Sequence, residues 1–152
     1  MRFYFDSCCY SRLYDDQTQI KIYMESEAIL NLINICKQNN DEIIGSPALD
    51  FELDQIDNID KREKLKYFYQ QIITEVVEYN ENILNRVRKL TEITKIRTLD
   101  SLHLAFSEIY KIDILLTTDS KFENACSKMD LRVKVINPVN YLMGVTQDDI
   151  DT

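Results

Sequence analysis

Short apolar runs alternate with longer amphipathic ones along this chain. The first run, Arg2–Phe5, is strand-like and stops on a carboxylate, Asp6. After SCCYSRLYDD, the residues Ile22, Ile29, Ile33 and Cys36 recur at spacings of seven, four and three, which predicts a helix over 17–37. Glu42–Gly45 reads as a second short strand. SPALDFELDQI then reads as a helix, with Ser46 as N-cap and Pro47 in the first turn. A charged helix is predicted over 60–71, and the β-branched run 72–77 reads as a third strand. A helix over 80–92 carries Ile83, Leu84, Val87 and Leu90 on one side. Thr98 is the candidate N-cap of a helix over 98–110. Strand 113–117, helix 120–128 and strand 132–136 follow, and Asn137-Pro138 ends the series.

Strands alternating with helices imply an α/β fold, a parallel five-stranded sheet layered between helices. In such sheets ligands bind beyond the carboxyl ends of the strands, where the strand order reverses. Asp6 and Asp119 both follow strand ends, so both are candidates for one shared rim. The domain is expected to span 1–143, and the acidic GVTQDDIDT at 144–152 to fray as a tail.

Composition narrows the chemistry. The chain has 152 residues, 45% hydrophobic and 29% charged, as expected of one globular domain. No apolar stretch approaches the roughly 18 residues of a membrane span, and no export signal is visible, so a cytoplasmic protein is expected. Four cysteines (Cys8, Cys9, Cys36, Cys126) and a single His103 form no zinc-ligand spacing. Buried thiols in a reducing cytosol are the expected reading. A net charge of −8 argues against a binder of nucleic acid driven by overall charge. An enzyme that meets a phosphodiester at one cation-bearing site remains compatible with it.

Two further acids are candidates for the rim. Glu52 lies in the helix after the second strand; Asp50 and Asp54 are its rivals but point about 200° away around the helix. Asp100 lies in the first turn after Thr98, where the helix dipole favours a carboxylate. Each acid also has a plainer reading. Asp6 and Asp119 suit N-caps, Asp100 a first-turn acid, and Glu52 a solvated helix residue. Two carboxylates about 5 Å apart repel by roughly 3 kcal/mol at an effective dielectric of about 20. A gathered set therefore needs a cation or a proton, and oxygen ligands favour Mg²⁺ or Mn²⁺ over zinc.

FYFDS, SPALDFE, LDSLHLA and LLTTDSKF, in this order, resemble the motif series of PIN domains, the nuclease fold of VapC-type toxins. The resemblance runs from the first strand to the closing NPVNYL. It implies a three-layer, five-stranded parallel sheet and a metal-dependent endoribonuclease. The acids Asp6, Glu52, Asp100 and Asp119 would be both catalytic and metal-binding. Mg²⁺ or Mn²⁺ would activate a water for attack on an RNA phosphodiester, with the 3′ oxygen leaving. Ser7 and Thr118 match small hydroxyl positions that support the acids. A toxin of this family also implies an antitoxin partner at the rim and a homodimer.

The secondary residues divide between two readings. His103 shares a helical side with Asp100 and reads first as a structural histidine beneath the site, second as a proton shuttle or substrate contact. Arg12, Arg97 and Lys121 grip phosphates or neutralise the acids. Tyr4, Tyr10, Tyr14 and Tyr23 read as packing residues before base-stacking ones. A haloacid-dehalogenase-type phosphatase is set aside, because Cys8 stands where its second acid belongs. The rival reading is a catalytically inactive module of the same fold that meets a partner through Tyr67, Phe68 and Tyr69.

Overall fold

The central strand, β1 (Arg2–Phe5), is apolar and almost wholly buried: Tyr4 and Phe5 expose 0% of their surface. A parallel sheet covered on both faces requires such continuous apolar strands. In the computed structural model, which describes residues 1–151 and side chains as far as Gly144, β1 is flanked by two parallel strands. These are β2 (Glu42–Gly45) and β4 (Ile114–Leu116). The edge strands are β3 (Glu75–Val76) and β5 (Lys134–Ile136), giving the all-parallel order β3-β2-β1-β4-β5. The sheet is thus the five-stranded α/β arrangement expected from the sequence.

Helices α1 (Ser7–Arg12), α2 (Ile20–Asn39), α3 (Pro47–Asp54) and α4 (Ile59–Ile72) connect the first three strands. Helices α5 (Glu81–Ile93), α6 (Thr98–Ile109), α7 (Ser120–Ser127) and α8 (Pro138–Asp151) complete the layers. Ile29, Leu32 and Ile33 of α2, Leu49 and Leu53 of α3, and Leu104 and Phe106 of α6 all join the core around β1. Each such side chain contributes roughly 1.5–3 kcal/mol by leaving water.

Register carries the site. Phe3 pairs with Ile43 on one side and Ile114 on the other, and Phe5 pairs with Leu116. The Asp6 N–H donates to Leu116 O at 2.9 Å, extending the pairing by one residue. Strand order reverses between β1 and β4, so Asp6 emerges at the crevice where ligands bind in such sheets.

Local differences from the sequence reading have physical causes. Residue 72 is helical: Leu65, Tyr69 and Ile72 continue one buried face of α4, and the third strand shrinks to two residues. Helical periodicity there outweighs β-branched composition. α2 starts at Ile20 because Asp16 Oδ1 accepts from Thr18 N at 3.0 Å and holds a turn before it. Thr98 is the first helical residue of α6, and Arg97 takes the cap position without a capping side chain. On α5, Ile83 and Leu90 are buried while Leu84 is 48% exposed. α8 continues through most of 144–152, set apart in sequence as an acidic tail, and Thr152 lies outside the described residues. No described helix is long and apolar enough to cross a membrane.

Candidate active site

Asp6 and Asp119 are indeed helix caps, and capping fixes them at the rim. Asp6 Oδ1 accepts from Ser7 N at 2.7 Å, and its Oδ2 accepts from Thr117 Oγ1 at 3.0 Å. Asp119 Oδ1 accepts from Lys121 N at 3.0 Å and Phe122 N at 3.3 Å. Its Oδ2 lies 3.8 Å from the Arg97 guanidinium. One side-chain oxygen holds the helix while the carboxylate still faces the crevice, so the capping and site readings are compatible.

Glu52 reaches the same place from α3. Its Oε2 accepts from Ser7 Oγ at 2.8 Å, and its Oε1 is hydrogen-bonded to His103 Nε2. The rivals turn elsewhere: Asp54 pairs with Lys66 at 2.5 Å, and Asp50 is hydrogen-bonded to Tyr69. His103 is fully buried, with Nε2 3.4 Å from Asp6 Oδ1. Behind it, Nδ1 is 2.5 Å from Tyr4 Oη, which lies 2.7 Å from Ser46 Oγ. Tyr4, Ser46 and His103 thus form one buried chain ending on the Glu52 carboxylate.

Asp100 is buried and held by Arg97, Nε to Oδ2 and Nη2 to Oδ1, both at 3.1 Å. Arg97 therefore joins Asp100 to Asp119. Arg12 is taken up by Glu25 at 2.9 Å and Asp15 at 3.2 Å. An open cleft of about 380 Å³ is lined by Ser7, Arg12, Glu52, Arg97 and Asp119. A second, of about 220 Å³, brings Lys95 and Lys121 beside Arg97, Asp100 and Asp119. All four expected acids thus meet at one rim, through two groupings: Asp6 with Glu52, and Asp100 with Asp119 across Arg97.

The charges are coupled. Burial raises the pKa of Glu52, but the hydrogen bond and charge of His103 outweigh it, and the carboxyl lies below its ordinary value. Burial opposes the charged form of His103, yet Asp6 and then Glu52 overcome it and raise the ring's pKa. Asp100 is raised, first by burial and also by Asp6, against the pull of Arg97. Like charges drive such shifts unless cations intervene. Within the chain, Arg97 is such a cation, and His103 is another when its ring is protonated.

The donor set also fits a divalent ion. Carboxylate oxygens of Asp6 and Glu52 and a ring nitrogen of His103 all lie within 4.8 Å of one another. The sequence reading did not anticipate the chain from Tyr4 to His103, nor the direct contact of His103 with Glu52. The hydroxyl that binds Asp6 belongs to Thr117, which the sequence reading did not single out; the Thr118 N–H donates to Cys8 Sγ at 3.3 Å. Tyr4 and Tyr10 are packing residues, fully buried, while Tyr14 and Tyr23 are 41% and 52% exposed.

A five-stranded parallel sheet with acids gathered at its β1/β4 rim is the architecture of a PIN-type domain. The profile of the PIN domain family matches residues 7–128, and the chain belongs to that family. No curated protein matches it in sequence. Among solved structures, it is similar to VapBC2 from Rickettsia felis bound to a promoter DNA fragment, with TM-score 0.65 at 10% identity, covering 90% of this chain and 98% of that one. It is also similar to VapBC-1 from nontypeable Haemophilus influenzae, with TM-score 0.62 at 15% identity over 91% and 98%. FitAcB from Neisseria gonorrhoeae gives 0.59 at 15% over 90% and 97%. At these identities the likeness is one of fold.

Proposed function

We propose that the chain is a divalent-metal-dependent endoribonuclease that hydrolyses RNA phosphodiester bonds. The observation that carries this reading is the convergence of Asp6, Glu52, Asp100 and Asp119 from four separate segments onto one rim. Two of them are locked by helix caps and one by a bidentate arginine. Asp6, Glu52, Asp100 and Asp119 would hold Mg²⁺ or Mn²⁺. The chemistry supplied by such an ion is polarisation of the phosphoryl group and activation of water for attack. Lys95, Arg97 and Lys121 form a basic margin on an otherwise acidic protein, suited to the flanking phosphates. Ser7 and Thr117 fix the orientation of Glu52 and Asp6.

The test is an assay on single-stranded and structured RNA with Mn²⁺, using chelator and Asp6→Asn as controls. Cleavage abolished by both supports the proposal. Cleavage that survives both assigns the activity elsewhere.

We further propose, with structural neighbours VapBC2, VapBC-1 and FitAcB as support for the fold, that this chain is a toxin with an antitoxin partner and forms a homodimer. Tyr14, Tyr23 and Leu30 line an exposed groove, with Tyr14 close in sequence to Arg12 and Asp15 of the cleft. Apolar surface of this kind suits a protein partner. Light scattering of the purified chain alone checks the dimer.

A second reading, an inactive PIN-fold module, is favoured by one observation: Arg97, and His103 when protonated, already offset the charge of the acids. Of the Tyr67, Phe68 and Tyr69 triplet that would form its partner surface, Tyr67 is exposed, Phe68 half-buried and Tyr69 buried. Thermal stabilisation by Mn²⁺ that disappears in Asp119→Asn excludes this reading.

A further inference from the structure

The acids alone do not account for the tightest cluster of ligand atoms at the rim. That cluster comprises Asp6, Glu52 and His103, with ligand atoms within 4.8 Å of one another. Asp100 and Asp119 are instead tied together by Arg97. We propose that His103 Nε2 is itself a ligand of the divalent ion, and that it biases the site toward Mn²⁺ and other imidazole-accepting ions over Mg²⁺. This inference rests on the metal site proposed above and adds a nitrogen ligand to it.

The direction of the ring is the first support. Nε2 faces carboxylates on two sides, hydrogen-bonded to Glu52 Oε1 and 3.4 Å from Asp6 Oδ1. The ring is fully buried and packs edge-on against Tyr4, with centroids 5.5 Å apart at 61°. It is held with Nε2 toward the acids, so a cation shared by Asp6 and Glu52 meets that nitrogen.

The second support lies behind the ring. A histidine that ligates a metal through one nitrogen commonly donates its other N–H to a protein acceptor, which fixes the tautomer. Tyr4 Oη is such an acceptor, 2.5 Å from Nδ1. Its own proton can pass to Ser46 Oγ at 2.7 Å, an oxygen with room also to accept from Leu49 N at 3.2 Å. In this arrangement Nδ1–H donates to Tyr4, and Tyr4 O–H donates to Ser46. Exchanging the Nε2 proton for a cation leaves that whole chain unchanged. No backbone movement and no ring flip is needed.

The selectivity follows from ligand chemistry. Mg²⁺ prefers an all-oxygen shell, whereas imidazole suits transition ions and affinity rises along the series from Mn²⁺. An acid-only site discriminates little on that basis. One imidazole in the shell shifts the balance toward Mn²⁺.

The chain contains a single histidine, which makes the test direct. Tag-free protein is loaded with Mn²⁺ and examined by pulsed electron paramagnetic resonance, with natural-abundance and ¹⁵N-histidine-labelled samples. The expected result is nitrogen coupling to Mn²⁺ that changes on labelling, and so belongs to His103. Calorimetry then compares Mn²⁺ with Mg²⁺. In His103→Gln the Mn²⁺ preference should fall by about tenfold, the scale on which partners of metal ligands act. Tyr4→Phe keeps the imidazole and removes its anchor; nitrogen coupling should persist while Mn²⁺ affinity drops about tenfold. Saturable Mn²⁺ binding that is sensitive to Asp6→Asn but shows no histidine coupling overturns this inference and leaves the metal site standing. No saturable binding overturns both.

Discussion

Arg97 closes on Asp100 through two parallel bonds, Nε to Oδ2 and Nη2 to Oδ1, each 3.1 Å long. The same guanidinium lies 3.8 Å from Asp119, so one cation spans two of the acids that would hold a divalent ion. The Arg97 side chain is 69% exposed while that of Asp100 is 6% exposed, so the guanidinium reaches solvent from a half-buried pair. It is therefore placed to be displaced, by an ion or by movement onto a phosphate.

Replacing Arg97 with Ala should cost the metal-free protein about 1–3 kcal/mol, because the buried Asp100 loses both bonds. Saturating Mn²⁺ should then raise its melting temperature by more than it raises the parent's, because the acids lose their internal counter-charge. Paired thermal melts with and without Mn²⁺ check this. Equal shifts in the two proteins would show that Arg97 does not shield the site.

Tyr4→Phe removes one hydroxyl from a wholly buried chain. His103 Nδ1 and Ser46 Oγ each lose a partner. Stranding buried polar atoms costs about 1–3 kcal/mol. The unfolding free energy from urea denaturation should fall by that amount, seen as a lower midpoint with an unchanged slope. A midpoint equal to the parent's would mean that the chain carries no stability.

Gly45 is where the sheet passes closest to α4. A Cβ built there meets the Tyr69 hydroxyl, with the ring carbon Cζ at 2.9 Å and Ile73 Cδ1 at 3.3 Å. Tyr69 is buried and packs edge-on against Tyr10, with centroids 5.3 Å apart, so it cannot give way. Gly45→Ala should destabilise by about 1–3 kcal/mol. Adding Tyr69→Phe removes the clashing oxygen, and the double variant should lose less than the sum of the single ones. Strict additivity in chemical denaturation would contradict the clash.

The thiols should separate by environment. Burial pushes Cys36 and Cys126 up to about 12 and Cys9 well above its ordinary range. These three stay protonated, and so unreactive, at any pH the fold withstands. Cys8 is half-buried and lines the cleft. A disulfide reagent at pH 8 should modify Cys8 alone in the native protein and all four cysteines after denaturation. Rapid native modification of a second thiol would contradict the packing described.

The legible part of the molecule was local. Ser46-Pro47 announced a helix start, and Ser46 Oγ does accept from Leu49 N at 3.2 Å. Asp6 and Asp119 could be read as strand-ending acids because both lie within a few residues of an apolar run. The third strand starts later than its β-branched run because Ile72 serves the helical face of Leu65 and Tyr69, a tertiary demand that composition does not reveal. The contact of His103 with Glu52 joins residues 51 apart, and Tyr4 with His103 joins residues 99 apart. No periodicity encodes such pairings; they follow from how α3 and α6 pack across the end of β1. That Thr117 Oγ1 reaches Asp6 likewise depends on which way the chain turns after β4.

The central claim is that Asp6, Glu52, Asp100 and Asp119 serve one divalent-ion site. Calorimetric titration of Mn²⁺ into the parent, Asp6→Asn and Asp100→Asn tests it most directly, since these acids come from β1 and α6 and lie in different groupings at the rim. Saturable binding in the parent, weakened at least tenfold in both variants, is the result predicted. Parent-like affinity in Asp100→Asn, or no saturable binding in the parent, would contradict the account.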